Sequence, residues 1–212
     1  MKLSVFGGTR GTGLKLIEKA LAEGHEITAL ARRPEVLKER FPEVKIVKGD
    51  VFDINSVKMA VSGSDAVVST IGFVGRPKST TIYSEGVLNI ARATQEVGPR
   101  RLVVVVASLA VNPHPDVSLS VFLIMKLFVE PMLRSAYRDM KKMVSLITQT
   151  DLDWTIAGVP YLRDSPENGT YRSSIATPLH HPFKISRADV AKYLLSIIND
   201  PSTFRKWTEV SW

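Results

Sequence analysis

The chain has 212 residues, of which 44% are hydrophobic and 23% are charged, and none is a cysteine. This length and composition are typical of one globular domain and exclude a disordered chain, and the lack of thiols excludes disulfides and cysteine chemistry. The formal net charge of +7 would suit a nucleic-acid partner. However, the basic residues are scattered along the chain, so we expect a phosphate-bearing small molecule and no nucleic acid.

A glycine-rich turn follows the first predicted strand, Lys2–Phe6. The turn consists of Gly7, Gly8, Thr9, Arg10, Gly11, Thr12 and Gly13. A helical pattern then runs from Leu14 to Gly24. Strand, glycine turn and helix form the context in which such a sequence binds a dinucleotide, although the spacing here is G-x-x-x-G-x-G rather than the usual G-x-G-x-x-G. In this interpretation Gly7 permits the turn, Gly11 lets a pyrophosphate approach the backbone N–H groups, and Gly13 lets the helix pack closely on the strand.

The second predicted strand, Glu26–Ala31, ends at two arginines, Arg32 and Arg33. Folds that prefer NAD usually place an aspartate or glutamate at this strand end, where it binds the ribose 2′-hydroxyl. Guanidinium groups suit a 2′-phosphate instead, and Arg10 in the glycine turn adds a third one. We therefore predict NADP (NADPH) rather than NAD as the cofactor. The alternative is that these arginines are simply solvated.

Apolar runs and helical patterns alternate through the first half of the chain. Further strands are predicted at Val44–Val47, Asp65–Ser69 and Arg101–Ala107, with helices at Pro34–Phe41, Ser56–Val61 and Ile82–Val97. The β-branched run RLVVVVA at 101–107 is typical of a parallel strand that is buried on both faces. Five strand–helix alternations predict an α/β, doubly wound Rossmann fold with a parallel sheet, as a single domain over residues 1–212 with a small C-terminal substrate-covering region.

Small or polar residues follow three of these strands, at the edge where doubly wound sheets bind their ligands. They are Asp50 and Val51 after the third strand, Thr70, Ile71 and Gly72 after the fourth, and Ser108 after the fifth. Adenine would lie beside Asp50, although an aspartate here is also an ordinary helix cap. The hydroxyl of Ser108 could hydrogen-bond a substrate carbonyl or the nicotinamide carboxamide, so Ser108 is both a cofactor-binding and a catalytic candidate.

Longer segments carry a resemblance to a known family. They are GGTRGTG at 7–13, GDVFD at 49–53, DAVVSTIG at 65–72, YSEGVLNIARA at 83–93, RRLVVVVAS at 100–108, LDWTIAGVPYL at 152–162, GTY at 169–171 and ISRADVAKYLL at 185–195. In this order they resemble the atypical short-chain dehydrogenases/reductases, in particular the NAD(P)H-binding, NmrA-like branch and, most of all, the flavin reductase/biliverdin-IXβ reductase family. The resemblance implies an NADP-dependent oxidoreductase with Ser108 beside the nicotinamide.

Tyr137 and Lys141 form a Y-x-x-x-K pattern on a helix predicted over Leu133–Thr148. Residues four apart share a helical face, and an ammonium beside a phenol favours the phenolate, so the pair would suit a general acid. Such a pair is the proton donor of ordinary short-chain dehydrogenases. By the resemblance to NmrA-like proteins, however, the usual lysine falls on Met140, and one residue turns a helix by about 100°. The register of this helix therefore decides whether the pair faces the nicotinamide.

Tyr161, in VPYLRD, falls where the flavin/biliverdin reductases carry a histidine, and an aromatic ring there would suit stacking on a flat substrate. We expect residues 109–135 and 159–185 to shape the substrate pocket, although 112–131 carries no motif that names the substrate. His180 and His181 have no companion ligands in the sequence, so no metal is predicted. For the apolar run Val117–Val129 we favour a buried or lid helix over contact with a membrane surface.

The sequence therefore predicts an NADPH-dependent reductase that transfers hydride to a flat conjugated or carbonyl-bearing small molecule of flavin, quinone or tetrapyrrole type. Two alternatives stay open: a non-catalytic NADP-sensing regulatory protein of the NmrA type, and an isomerase or epimerase on the same fold. No basic leader precedes the first strand, so we expect a cytoplasmic protein, as a monomer or a dimer.

Overall fold

A computed structural model of the chain describes residues 1–72, 80–111, 123, 127 and 130–212. Its strands are β1 (Lys2–Phe6), β2 (Glu26–Ala31), β3 (Lys45–Lys48), β4 (Ala66–Ser69), β5 (Arg101–Ala107), β6 (Asp153–Val159), β7 (Tyr161–Arg163), β8 (Arg172–Ile175), β9 (Lys184–Ser186) and β10 (Lys206–Ser211). Its α-helices are α1 (Gly11–Ala22), α2 (Glu35–Lys38), α3 (Ile54–Val61), α4 (Leu88–Val97), α5 (Ser108–Val111), α6 (Glu130–Ile147) and α7 (Arg187–Ile197). A π-helix over Ile82–Val87 leads directly into α4, and a 3-10 helix over Pro201–Thr203 precedes β10.

Eight of these strands form one sheet with the order β3-β2-β1-β4-β5-β6-β10-β8. All neighbours from β3 to β10 are parallel, and β8 runs antiparallel to β10 at the edge. The sheet grows outwards in one direction from β1 to β3 and in the other from β4, so the direction reverses between β1 and β4. This topology confirms the predicted doubly wound α/β fold. β7 and β9 form a separate parallel pair.

Helices cover both faces of the sheet, and each face has its own hydrophobic cluster. α1 and α7 pack on one face, where Leu16 is fully buried beside Val103 of β5. α3, α4 and α6 cover the other face, where Ile90 and Met143 are fully buried beside Val104. Successive residues of β5 therefore enter opposite clusters, which explains why its sequence is continuously apolar.

The elements predicted for the first half of the chain agree closely with those observed. β1, β2 and β5 have the predicted bounds, and the helix predicted over Ile82–Val97 is continuous but begins as a π-helix. Beyond the five predicted strands, β6, β10 and β8 extend the sheet. The regular strand–helix alternation ends at β6, because the short strands β7, β8 and β9 come before helix α7 leads to β10.

One buried carboxylate connects several segments of the C-terminal third. Asp189, in the first turn of α7, accepts hydrogen bonds from the backbone N–H groups of Asn168 (3.1 Å) and Gly169 (2.9 Å) and from Nε1 of Trp212 (2.9 Å). The hydroxyl of Ser186 donates to the same carboxylate (2.6 Å) and accepts from the Asp189 N–H (2.9 Å), which caps the helix. Burial alone would raise the pKa of Asp189, but these hydrogen bonds lower it below its usual value.

Much of the predicted substrate segment 109–135 lies outside the described residues, as does most of the apolar run Val117–Val129. Within that run Leu123 and Leu127 are described, and both are exposed. The prediction of a lid helix therefore stays a prediction. In the described parts of the chain, no helix is both long enough and apolar enough to cross a membrane.

Candidate functional site

The carboxyl ends of β1 and β4 meet at the glycine turn. Thr70 donates both its backbone N–H (2.9 Å) and its Oγ1 hydroxyl (3.0 Å) to the carbonyl oxygen of Phe6, the last residue of β1. Gly7, the next residue, has a φ of +85°, which turns the chain towards α1. A Cβ at Gly13 would overlap the carbonyl oxygen of Gly7 and the hydroxyl of Thr70. Only glycine at position 13 therefore lets α1 start this close to the strand ends.

The N-terminus of α1 opens beside this turn. Arg10, its N-cap residue, has an extended backbone, and its side chain makes no capping hydrogen bond. The first backbone N–H groups of a helix have no acceptor inside the helix, so they and the positive end of the helix dipole can bind a phosphate. Arg10 is exposed and Thr9 is half-buried, whereas Gly8 and Thr12 are buried. This arrangement has the chemistry of a pyrophosphate site.

Charged residues lie where β2 and β3 end, at the predicted adenosine end of the site. Arg32 and Arg33 are both exposed, and Nε of Arg32 lies 3.9 Å from Oδ2 of Asp50. The other carboxylate oxygen of Asp50 accepts a hydrogen bond from the N–H of Phe52 (3.1 Å). The Arg32 side chain is 77% exposed, so this pair contributes little to stability and leaves the guanidinium accessible to a ligand.

The turn after β3 rests on the helix that follows β4. The carbonyl oxygen of Val51 accepts a hydrogen bond from Nδ2 of Asn89 (3.0 Å), and Gly86 leaves room for the Val51 side chain. After β4, Ile71 is buried in the cluster under α3, α4 and α6, and Gly72 is exposed. The predicted cofactor residues after β3 and β4 therefore lie along the same edge of the sheet as the glycine turn.

Ser108 directly follows β5 and begins the short helix α5. It is only 1% exposed, and its Oγ has no hydrogen-bond partner among the described residues. A Cβ at Gly158, on β6, would lie 3.2 Å from the Cβ of Ser108, so the serine lies against the neighbouring strand. A buried hydroxyl without a partner costs about 1–3 kcal/mol. A ligand that hydrogen-bonds to Ser108 would recover that cost.

Helix α6 turns Met140, and not Lys141, towards the core. Met140 is 3% exposed within the cluster under α3, α4 and α6, whereas Lys141 is exposed. Asp139 fixes this rotation because its carboxylate accepts the backbone N–H groups of Tyr83 (2.9 Å) and Ser84 (3.2 Å) at the start of the π-helix. One residue further along, a helix has turned by about 100°, so Lys141 points outwards.

The remaining catalytic candidates, Tyr137 and Tyr161, lie on different elements of the structure. Tyr137 is half-buried and packs on the same cluster as Met140, so Tyr137 and Lys141 differ in their surroundings. Tyr161 lies on β7 and is 71% exposed. Their catalytic roles stay predictions. His180 and His181 are exposed, and nowhere in the described ranges do three or more metal-ligating side chains form a group that could hold an ion.

Arg187 is not among the predicted site residues, yet its side chain lies over the glycine turn. A Cβ at Gly11 would lie 3.4 Å from Nε and 3.6 Å from Cδ of Arg187. Nη1 of Arg187 forms an ion pair with Oδ1 of Asp164 at 2.9 Å. A sequence signal for this position exists: Ser186 and Asp189 form an S-x-x-D pattern that marks a helix start, and Arg187 is the residue after the cap.

Comparison with known proteins identifies relatives of the chain. The model of a family described as NAD(P)H-binding matches residues 7–201. A 3-beta-hydroxysteroid dehydrogenase of Mycolicibacterium neoaurum is 27% identical over 127 residues, and eugenol synthase 2 of Clarkia breweri is 33% identical over 92 residues. These matches cover 55% and 39% of this chain but 34% and 30% of those proteins, so the chain spans about a third of their length.

Solved structures resemble the whole chain. ChuY, an anaerobillin reductase from Escherichia coli O157:H7, matches with a TM-score of 0.82 at 20% identity, covering 100% of this chain and 97% of that one. A short-chain dehydrogenase/reductase from Veillonella parvula DSM 2008, solved in complex with NADP, matches with a TM-score of 0.81 at 17% identity, covering 100% and 94%. These likenesses confirm the predicted fold, and the family match confirms the predicted resemblance to NAD(P)H-binding proteins.

Proposed function

The chain belongs to the NAD(P)H-binding family, and from that premise we propose that it is an NADPH-dependent reductase. Its substrate would be a flat conjugated or carbonyl-bearing small molecule, of flavin, quinone or tetrapyrrole type. The observation that carries the proposal is the buried hydroxyl of Ser108, which has no partner among the described residues and lies at the carboxyl end of β5. Ligands of doubly wound sheets bind at this edge.

The residues of the site fit a dinucleotide. The uncapped N-terminus of α1 offers backbone N–H groups to the diphosphate, and the close packing of Gly13 keeps that N-terminus at the strand ends. Arg10, Arg32 and Arg33 are exposed cations that would favour a 2′-phosphate. When bound, the reduced nicotinamide supplies the hydride, which is the cofactor's own chemistry.

The protein's contribution to the reaction would be orientation and polarisation. The Oγ of Ser108 can donate a hydrogen bond to a substrate carbonyl oxygen, where negative charge develops as hydride arrives. Because Ser108 is buried, that hydrogen bond would act where water is excluded and charge is weakly screened. The name of the Escherichia coli neighbour, an anaerobillin reductase, supports reduction as the reaction type.

One observation favours a second candidate, an NADP-sensing protein that binds the dinucleotide without turnover. Met140 occupies the buried position where the resemblance places a lysine, and Lys141 faces solvent. A sensor needs no proton donor beside the nicotinamide, whereas reduction of a carbonyl does.

The test is NADPH oxidation, followed by the absorbance of the reduced nicotinamide, against a panel of flavins, quinones and aldehydes. We expect steady turnover with at least one of them. Ser108→Ala should lower kcat by about tenfold or more while the Kd for NADPH changes by less than about threefold, because the hydroxyl acts on the reacting centre. Ser69→Ala is the matched control, since Ser69 is another buried serine whose hydroxyl has no partner in the described part of the chain, but it lies within the ladder of β4.

The outcomes separate the two candidates. Tight NADPH binding without turnover on any member of the panel would favour the sensor. Full turnover in Ser108→Ala would remove the serine from the chemistry. Failure to bind either NADPH or NADH would contradict both candidates.

A further inference from the structure

We infer that Arg187 is a diphosphate-binding residue, which exchanges its ion pair with Asp164 for the diphosphate of the bound dinucleotide. The inference rests on the proposed cofactor site. It adds a residue from the far end of the chain to a turn that the first 13 residues form.

The position of Arg187 follows from the packing of two helices. α7 packs against α1 on the same face of the sheet, and Arg187 is the first residue of α7. The cap formed by Ser186 and Asp189 fixes the start of α7. As a result the guanidinium stem lies within contact distance of the place that a side chain on Gly11 would occupy. Gly11 is itself the first residue of α1, where the open N–H groups begin.

Gly11 lets the Arg187 side chain approach the N-terminus of α1 closely. Its φ of +58° lies in the left-handed region that favours glycine. A side chain here would also come into contact with the Arg187 stem, since Nε of Arg187 would lie only 3.4 Å from its Cβ. A phosphate bound by the backbone N–H groups beside Gly11 would therefore lie within reach of the guanidinium once Arg187 leaves Asp164, and both groups are well suited to phosphate.

The ion pair with Asp164 is easily exchanged. The side chain of Asp164 is 85% exposed, and that of Arg187 is 27% exposed, so water screens the carboxylate strongly. Exposed pairs of this kind contribute little to stability. A diphosphate carries more charge and offers oxygens that match the planar guanidinium, so it should displace the carboxylate.

The other nearby carboxylate does not compete for Arg187. Asp189 already accepts hydrogen bonds from Ser186, Asn168, Gly169 and Trp212. Among the described residues, Asp164 is therefore the carboxylate that pairs with Arg187 before the dinucleotide binds.

The experiment compares Arg187→Met, Arg187→Lys and Asp164→Asn with wild type by titration of NADPH, NADH and adenosine 2′-monophosphate. Both dinucleotides contain the diphosphate, and the monophosphate lacks it. We expect Arg187→Met to weaken NADPH and NADH by the same factor, about tenfold, and to leave the monophosphate unchanged. Arg187→Lys should restore part of the affinity. Asp164→Asn should tighten both dinucleotides about twofold to threefold, because Arg187 loses its competitor.

Arg100→Met is the matched control. Arg100 also pairs with a carboxylate, at 3.6 Å from Asp153, but it lies before β5 at the opposite edge of the sheet. Its loss should leave all three affinities unchanged. Thermal unfolding of each apo variant shows whether the fold is intact, and the lysine and asparagine variants test the inference even if Arg187→Met is unstable.

If Arg187→Met is folded and binds both dinucleotides as tightly as the wild type does, the inference is overturned. The proposed function still stands in that case, because the wild type binds NADPH. A loss confined to NADPH would also overturn the inference, since Arg187 would then act on the 2′-phosphate. If the wild type binds neither dinucleotide, the proposed function fails together with the inference.

Discussion

The two ends of the chain build their parts of the molecule by different means. Around the glycine turn, close approach of backbone is what matters, because a Cβ at Gly13 would overlap Gly7 and Thr70. In the C-terminal third, buried charged side chains connect the segments. Asp189 accepts from four donors, and the guanidinium of Arg101, which lies on β5, donates to the carbonyl oxygens of three residues of this third: Asp153 (2.7 Å), Ile197 (2.9 Å) and Ile198 (2.8 Å).

This difference determines how each part can be damaged. The glycine turn is disrupted by an added side-chain atom, because Gly7 and Thr70 cannot move away from it without breaking the hydrogen bonds of Thr70 to Phe6. The C-terminal third fails when a charge is removed, because several buried donors or acceptors then lose their partner at once. Each of the following changes tests one side of the comparison.

Adding one methyl group at the turn should have the largest effect. Gly13→Ala would place its Cβ against backbone and a fixed hydroxyl, so we expect a loss of about 3 kcal/mol or more in the free energy of unfolding, together with loss of NADPH binding. Urea unfolding and cofactor titration measure the two effects. Gly72→Ala is the control for stability, because among the described residues the nearest atom to its Cβ would be the Tyr83 hydroxyl at 3.9 Å. A Gly13→Ala variant as stable as wild type would refute the packing argument.

Neutralising the buried carboxylate of Asp189, in the C-terminal third, should have the second-largest effect on stability. Asp189→Asn keeps the shape of the side chain but replaces one carboxylate oxygen by an NH₂ group, which would face the N–H and O–H donors around it. We expect a loss of about 2–4 kcal/mol in the free energy of unfolding at pH 7. The same substitution at Asp151, whose side chain is 91% exposed, should cost less than about 0.5 kcal/mol. Equal costs at both positions would show that the hydrogen bonds of Asp189 do not stabilise the fold.

The Asp189 carboxylate also gives the stability of the wild type a predictable dependence on pH. Because folding lowers the pKa of Asp189 below its ordinary value of 3.8, its stabilising contribution is complete above that value and is lost as the pH falls through the lowered one. Between about pH 5 and pH 2 the wild type should therefore lose stability more steeply than Asp189→Asn. Parallel acid-unfolding curves would contradict this.

The smallest effect concerns cofactor preference and should leave the fold untouched. The wild type should bind NADPH at least about tenfold more tightly than NADH at low salt, since the exposed arginines would interact with the 2′-phosphate that NADH lacks. Arg10→Ala and Arg33→Ala should reduce this ratio, as should added salt, with unchanged unfolding free energies. Titrations of both dinucleotides measure the ratio, and Arg100→Ala is the control. Equal affinities of the wild type for NADPH and NADH at low salt would show that these arginines are simply solvated.

The fold of the first half is predictable from the sequence because its signals are local. β1, β2 and β5 are apolar runs bounded by glycine, proline or charge, and the glycine turn has a fixed spacing after β1. Each of these features depends on residues that are adjacent in the chain. They therefore appear in the sequence before any tertiary contact is known.

Other features of the site depend on contacts between distant residues. The outward position of Lys141 depends on Asp139, whose partners Tyr83 and Ser84 precede it by more than 50 residues. Arg187 reaches Gly11 only because α7 packs on α1. Periodicity predicts that a helix has a buried face. Whether Met140 or Lys141 lies on that face is decided by the hydrogen bonds of one side chain, Asp139, to the start of the π-helix.

The hydrogen bonds from Thr70 to Phe6 also determine when the glycine turn can form during protein synthesis. β1 and α1 leave the ribosome before β4, which lies beside β1 in the sheet but follows it in the chain only after two more strands. Ribosomes add about 5–20 residues per second, so the turn waits for seconds until Thr70 can close it, and α7 emerges later still. A dinucleotide therefore meets this site only after the segments from β1 to α7 have been synthesised. It stabilises the finished fold by mass action and does not guide the first folding steps.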